Sequence, residues 1–242
     1  MKWIKMVCVF LCVILLLLSI DGVMAQNDSS MTEDNVSKVD EVVFPHDEVV
    51  DVFIDIDEED YNYMLDNAMA EEIVMADITY NGYSFSNVGI RPKGNSSLSS
   101  VAKSDSDRYS FKVDLDYYIG DQSFYGVTKL NLNNLFSDPT MMAEYLGYEM
   151  LDELDADASR TTYVALYINN EYKGLYLAVE QVNETFLKEH FGNANGELYK
   201  PDMGIGSDLE YISDNGLDYT GLFPENFSSY DNGAVTKLIK SI

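Results

Sequence analysis

GIRPKGNSSLSSVAKSDSDRYSFKVDL, residues 89–115, is the stretch from which the rest of the chain is read. The whole chain of 242 residues has 15 Lys+Arg against 42 Asp+Glu. Arg91, Lys93, Lys103, Arg108 and Lys112 nevertheless all fall in this one segment. Between them, Gly94-Asn95-Ser96-Ser97 reads as a small-residue turn, and successive backbone N–H groups in such a turn make an anion nest. A strand is expected over 108–116. Tyr109, Phe111, Val113 and Leu115 would share its apolar face, with Arg108, Ser110, Lys112, Asp114 and Asp116 on the other. A donor-rich turn beside a strand lysine suits a polyphosphate. The same residues also fit a serine-rich surface loop followed by an amphipathic edge strand.

Working outward, the composition sets limits. Hydrophobic residues make up 46% of the chain and there are 18 tyrosines, enough for a real core. A formal net charge of −27 argues against nucleic acid and anionic membrane surfaces, which would repel the protein. Residues 1–25 read as a signal peptide: Lys2 and Lys5 precede an apolar run too short to span a bilayer comfortably, and Val23-Met24-Ala25 supplies small residues before a cut ahead of Gln26. No stable membrane span is expected after cleavage. Cys8 and Cys12 lie in this leader, so the mature chain would hold neither a disulfide nor a thiolate metal site. Residues 26–46 are polar and acidic and read as a disordered linker, with one domain over 47–242.

Upstream of the opening stretch, Val50 to Ile56 alternates as a strand and Asp57 caps a helix. Asn81-Gly82 marks a hairpin turn. Downstream, Lys129-Leu-Asn-Leu-Asn133 reads as a short strand, and Asp138-Pro139 as a helix start. Strands follow over 162–168 and 172–182, joined at Asn169-Asn170. Leu175 to Val179 is nearly continuous apolar sequence, as in a central strand. Asn183 caps a helix that Gly192 stops. Residues 202–233 show no periodicity. A helix is expected over 234–242, with Val235, Leu238, Ile239 and Ile242 at helical spacing. It would expose Leu238 and Ile239, and it gives the look of a truncated domain.

The ordered set Gly89-Ile-Arg91-x-Lys93-Gly94-Asn95-Ser96-Ser97, Tyr109-Ser-Phe-Lys112, Leu130-Asn-Leu-Asn-Asn134, Asp138-Pro139, Tyr167-Ile-Asn169-x-x-Tyr172-x-Gly174-Leu-Tyr176-x-x-Val179-Glu180-Gln181-Val182 and Leu198-Tyr-Lys-Pro201 resembles the CotH kinase family, named for spore coat protein H. The resemblance covers roughly residues 48–201. It implies an α+β fold: a divergent protein-kinase-like small lobe, an antiparallel sheet with packed helices, and the start of a truncated large lobe. It implies an exported atypical kinase acting outside the cell, on its surface or in a spore coat. That kinase would transfer phosphate from ATP, with Mg or Mn, to serines of secreted or spore coat proteins.

By the same resemblance, Arg91, Lys93, Asn95, Ser96 and Lys112 would contact nucleotide. Glu144 would orient Lys112, with Glu149 as its rival, and Glu180-Gln181 would lie at the hinge between lobes. The family's later Trp-Asp-x-Asp signature is missing, since the only tryptophan is Trp3. No catalytic residue is therefore expected within this chain; the family's order implies that they lie C-terminal to Ile242. Nor is phosphate transfer expected from residues 26–242 alone. The alternative is a non-catalytic secreted or coat module built on the same scaffold. Two histidines, His46 and His190, are too few for a zinc site or a convincing serine triad.

Overall fold

The computed structural model describes residues 33–202, 204–225 and 233–241, so the expected leader and Ile242 lie outside the described residues. The chain forms two compact units, divided between Glu180 and Gln181.

The first unit is a seven-stranded closed barrel built from β1 (Val50–Ile56), β2 (Val74–Tyr80), β3 (Tyr83–Lys93), β4 (Ser110–Asp114), β5 (Lys129–Asn133), β6 (Thr161–Ile168) and β7 (Glu171–Glu180). Neighbours run β1-β2-β3-β4-β5-β7-β6, and every pairing is antiparallel except the seam, where β1 lies parallel to β6. Alternation explains the closure. Val52, Ile54, Ile78, Ile90, Phe111, Val113, Leu130, Leu132, Val164, Leu166 and Ala178 all turn inward and are buried. The alternation of Val50–Ile56 thus reads correctly, but the antiparallel sheet expected from sequence is a barrel with a parallel seam.

The hairpins form where expected. Asn81 and Gly82 both have positive φ, as do Asn169 and Asn170, the geometry that matches strand twist in tight turns. Asp57 caps α1 (Glu58–Asp66), and its carboxylate accepts from the N–H groups of Glu59 and Asp60.

The expected linker is corrected in part. Residues 33–43 are helical, and Val39, Val43 and Phe44 are fully buried in the barrel core. The Tyr80 hydroxyl donates to the Val43 carbonyl at 2.8 Å, and Thr162 donates to the Pro45 carbonyl at 2.6 Å. This segment closes one end of the barrel.

Two further elements depart from expectation. Ser96–Val101 is helical (α2), because burial of Leu98 and Val101 outweighs the weak helix preference of serine. The helix expected at Asp138-Pro139 begins instead at Ala143 (α3, Ala143–Asp152). Met142 holds the N-cap position without a side-chain bond, and one Asp138 carboxylate oxygen accepts from the Ala143 N–H at 2.8 Å. Met141, at positive φ, holds an extra turn between them.

The second unit contains α4 (Glu184–Phe191), α5 (Gly233–Ile239) and a two-stranded sheet of β8 (Tyr199–Pro201) with β9 (Leu222–Pro224). Asn183 caps α4, accepting from Thr185 and Phe186, and Gly192 ends it in the left-handed conformation. Tyr219, Leu222, Val235 and Ile239 form a small core against Tyr199. Ile239 is therefore buried, contrary to expectation, while Leu238 is exposed. The helix expected to run on to Ile242 is corrected as well: α5 ends at Ile239, and a turn follows at Lys240 and Ser241, where Ser241 N–H donates to the Leu238 carbonyl at 2.8 Å. The stretch that reads as structureless carries β9 and a 3-10 turn at Gly216–Asp218.

A cationic outer face on the barrel

Strands β3, β4 and β5 turn alternate residues outward, and their register sets the outward ones side by side. Arg91 lies opposite Lys112, and Lys112 opposite Asn131. One step along come Lys93, Ser110 and Asn133; one step back, Asp114 lies opposite Lys129. Four cations of a strongly acidic chain thus share one face of three adjacent strands.

Lys93 is held by a relay. Its Nζ donates to Asn133 Oδ1 at 2.9 Å, and Asn133 Nδ2 donates to Glu144 Oε1 at 2.6 Å. Glu144 comes from α3, which rests on the barrel through Tyr145 and Tyr148 packed with Leu135, Leu177 and Val179. The structure links Glu144 to Lys93 through Asn133; the resemblance implied that Glu144 would orient Lys112, the residue opposite Arg91 on the same face. Glu149, the rival, pairs with His46 at 3.5 Å.

The remaining expected residues divide. Lys112 lies within the face, between Arg91 and Asn131. Arg91 is ion-paired with Glu71 and also donates to the Pro92 carbonyl at 3.0 Å. Asn95 and Ser96 do not form an open turn: Asn95 precedes α2 without a capping side-chain bond, and Ser96 is the first helical residue.

Glu180 ends β7, at the point where the chain divides into its two units. It is buried, accepts from Arg160 Nη1 at 3.0 Å and from the Arg160 backbone N–H at 3.2 Å, and so serves as half of an internal ion pair. Arg108 belongs to the scaffold too. Its guanidinium donates to the carbonyls of Asn134, Lys173 and Leu175 and stands 4.6 Å above the Tyr176 ring. Lys103 is exposed and donates to Ser99.

At one margin of the face, Lys129 bridges Asp114 at 3.2 Å and Asp116 at 3.3 Å. Burial, with a hydrogen bond that the protonated Asp114 carboxyl donates to Asp116, pushes Asp114 above the ordinary range, against the pull of Lys129. Asp116 is held low although burial opposes its charge, because the bonds to Asp114 and Lys129 favour the ionised form.

A family model described as CotH kinase protein matches residues 90–242. The chain belongs to the CotH kinase protein family. The match begins at Ile90 and takes in the whole cationic face of this CotH protein. A search of curated proteins finds no match.

Asn133 and Asn131 are the residues that sequence reasoning missed. The alternation Lys129-Leu-Asn-Leu-Asn133 puts both on the polar face of β5, and that was the available signal. What it lacked was the neighbour: only the register shows β5 beside β4. A cavity of about 350 Å³ lined by Leu65, Asn67, Ala68, Ala102 and Tyr109, among others, includes none of the expected nucleotide residues. Among the described residues, no group of three or more His, Cys, Asp or Glu is placed to hold a metal ion, and no helix is long and apolar enough to cross a membrane.

Proposed function

We propose that the outer face of β3, β4 and β5 binds the phosphates of ATP, and that this CotH chain is the nucleotide-binding part of an exported protein kinase. Its acceptors would be serines of secreted or coat proteins. The barrel is then a divergent small lobe, and the residues after Glu180 begin the second lobe.

The observation that carries this reading is the Lys93–Asn133–Glu144 relay. Kinases hold a strand lysine on the nucleotide phosphates with a helix glutamate. Here a helix glutamate acts on a strand lysine through one asparagine. The division of the chain between Glu180 and Gln181 also fits two lobes.

The donor set fits a polyphosphate: Arg91 offers a planar fork, and Lys93 and Lys112 offer compact point charges. Bound ATP supplies the phosphoryl group. Lys112 and Lys93 hold its oxygens, Asn133 and Glu144 fix where Lys93 points, and Glu71 restrains Arg91.

Calorimetric titration of the chain with ATP tests the reading. A charge-assisted contact to phosphate is worth roughly 1.5–3 kcal/mol, so Lys112→Ala should weaken binding about ten- to a hundredfold, with Lys103→Ala as the silent control. Asn133→Leu should weaken it by loosening Lys93. Equal dissociation constants for the Lys112 and Lys103 variants, or no binding at all, would refute the proposal.

A further inference from the structure

Helix α3 has two apolar sides, and only one is used. Tyr145 and Tyr148 face the barrel. Leu146 and Met150, four apart, share one face of α3, and Met142 and Leu154 continue that spacing just before and just after the helix. All four are exposed, from 46% at Leu146 to 74% at Leu154, with exposed Leu151 beside them. No residue of this ten-residue helix is buried.

The charge around the stripe is one-sided. From Met142 to Asp157 the chain carries Glu144, Glu149, Asp152, Glu153, Asp155 and Asp157 and no lysine or arginine. An apolar stripe with acidic borders is complementary to a helix with an apolar stripe and basic borders. A second copy of this chain is a poor match, because like charges would meet across the same face. An anionic membrane is repelled for the same reason. Two of the four stripe residues are methionines, whose flexible thioethers adapt to varied partners.

We infer that the outer face of α3 is a docking site for a basic amphipathic helix of a partner protein. The partner's leucine-like residues cover Leu146 and Met150, and its lysines or arginines meet the acidic border. This surface lies on the helix that holds Glu144, but its recognition chemistry does not depend on nucleotide.

The test uses the full chain and two synthetic helices with the same leucine face, one bordered by lysine and one by glutamate. The lysine helix should bind and slow amide hydrogen exchange across Ala143–Asp152; the glutamate helix should not bind. The variant Leu146→Glu with Met150→Glu should keep the parent melting temperature, because both positions are exposed. It should bind the lysine helix at least about tenfold more weakly. The milder pair Leu146→Ser with Met150→Ser should weaken binding in the same direction. Non-specific charge attraction makes the opposite forecast, since the glutamates add negative charge. Unchanged or tighter binding by the glutamate variant would overturn the inference. So would equal binding of the two helices, or protection elsewhere on the chain. Sedimentation showing a dimer of the protein alone that the variant abolishes would assign the face to a second copy instead.

Discussion

Replacing Gly174 by alanine should be among the most damaging single-methyl additions to the barrel. Gly174 lies on β7 beside a shift of register against β6, and its φ is +119°, a conformation that L side chains rarely adopt. Forcing a side chain there costs about 1–3 kcal/mol in backbone strain. A Cβ at this position would also overlap Arg108 Nη1, so the guanidinium has to move. That group donates to the carbonyl of Lys173 at 3.1 Å, to that of Asn134 at 3.3 Å and to that of Leu175. Losing one bond from a charged donor costs roughly 1.5–3 kcal/mol. The two effects together come to about 2.5–6 kcal/mol, or a fall in melting temperature of roughly 5–24 °C for a unit of this size. The assay is a double-mutant cycle followed by urea and thermal unfolding. In an Arg108→Ala background the obstruction is already gone, so Gly174→Ala should cost only the backbone strain. If it costs the same in both backgrounds, the steric argument is wrong.

Removing one partner of the buried Arg160–Glu180 pair should also be severe: Glu180→Ala should lose about 3–5 kcal/mol in urea unfolding, while Glu180→Leu with Arg160→Met recovers most of it. Asn183→Ala removes the acceptor for two N–H groups at the start of α4, and hydrogen exchange of that helix should report a loss of about 1 kcal/mol. Stability should fall steeply in alkali. Burial raises the Tyr80 and Tyr176 hydroxyls above their ordinary range. Burial works against the charge of Lys173, but hydrogen bonds to Glu171 and Asp107 outweigh it and raise its pKa. In each case the folded value exceeds the unfolded one. The contribution is therefore intact below about pH 10 and is lost as pH rises beyond it. The last part of the tyrosinate absorbance should rise together with loss of the native circular dichroism; full ionisation of tyrosine in a folded barrel would contradict this.

The inward faces of the strands are legible because alternation is local. Val52, Ile54, Phe111 and Val113 declare their side of the sheet without reference to any other strand, and Asn81-Gly82 and Asn169-Asn170 declare their turns. Closure is not local. The parallel pairing of Val50 with Val164 joins residues more than a hundred positions apart, and nothing in either strand names the other. The site was half legible for the same reason. Lys93 and Lys112 could be picked out by charge in an acidic chain and Glu144 by the family resemblance, but the asparagine connecting two of them is visible only once β5 is known to flank β4. The ion pair of Glu180 was not legible because Arg160, its partner, lies twenty positions earlier, on the residue just ahead of β6. Ser96 looked like loop because serine favours loops, and the burial of Leu98 and Val101 that overrides this is a tertiary fact.

The parallel seam also sets an order on the chain's assembly. Of the seven barrel strands β1 is made first, and β1 to β4 can pair one after another in chain order. The free edge of β1 has no partner until β6 has been made. Through all that time the growing sheet is an open ribbon with unpaired N–H and C=O groups along a strand of valine and isoleucine, the kind of edge that recruits other chains. Asp51 and Asp55, which point outward from β1, place charge along that waiting edge and keep it from sticking while the last strands arrive. The final step is then a single long-range event, in which the late hairpin of β6 and β7 slots between the two open edges, β1 and β5, and turns the ribbon into a barrel.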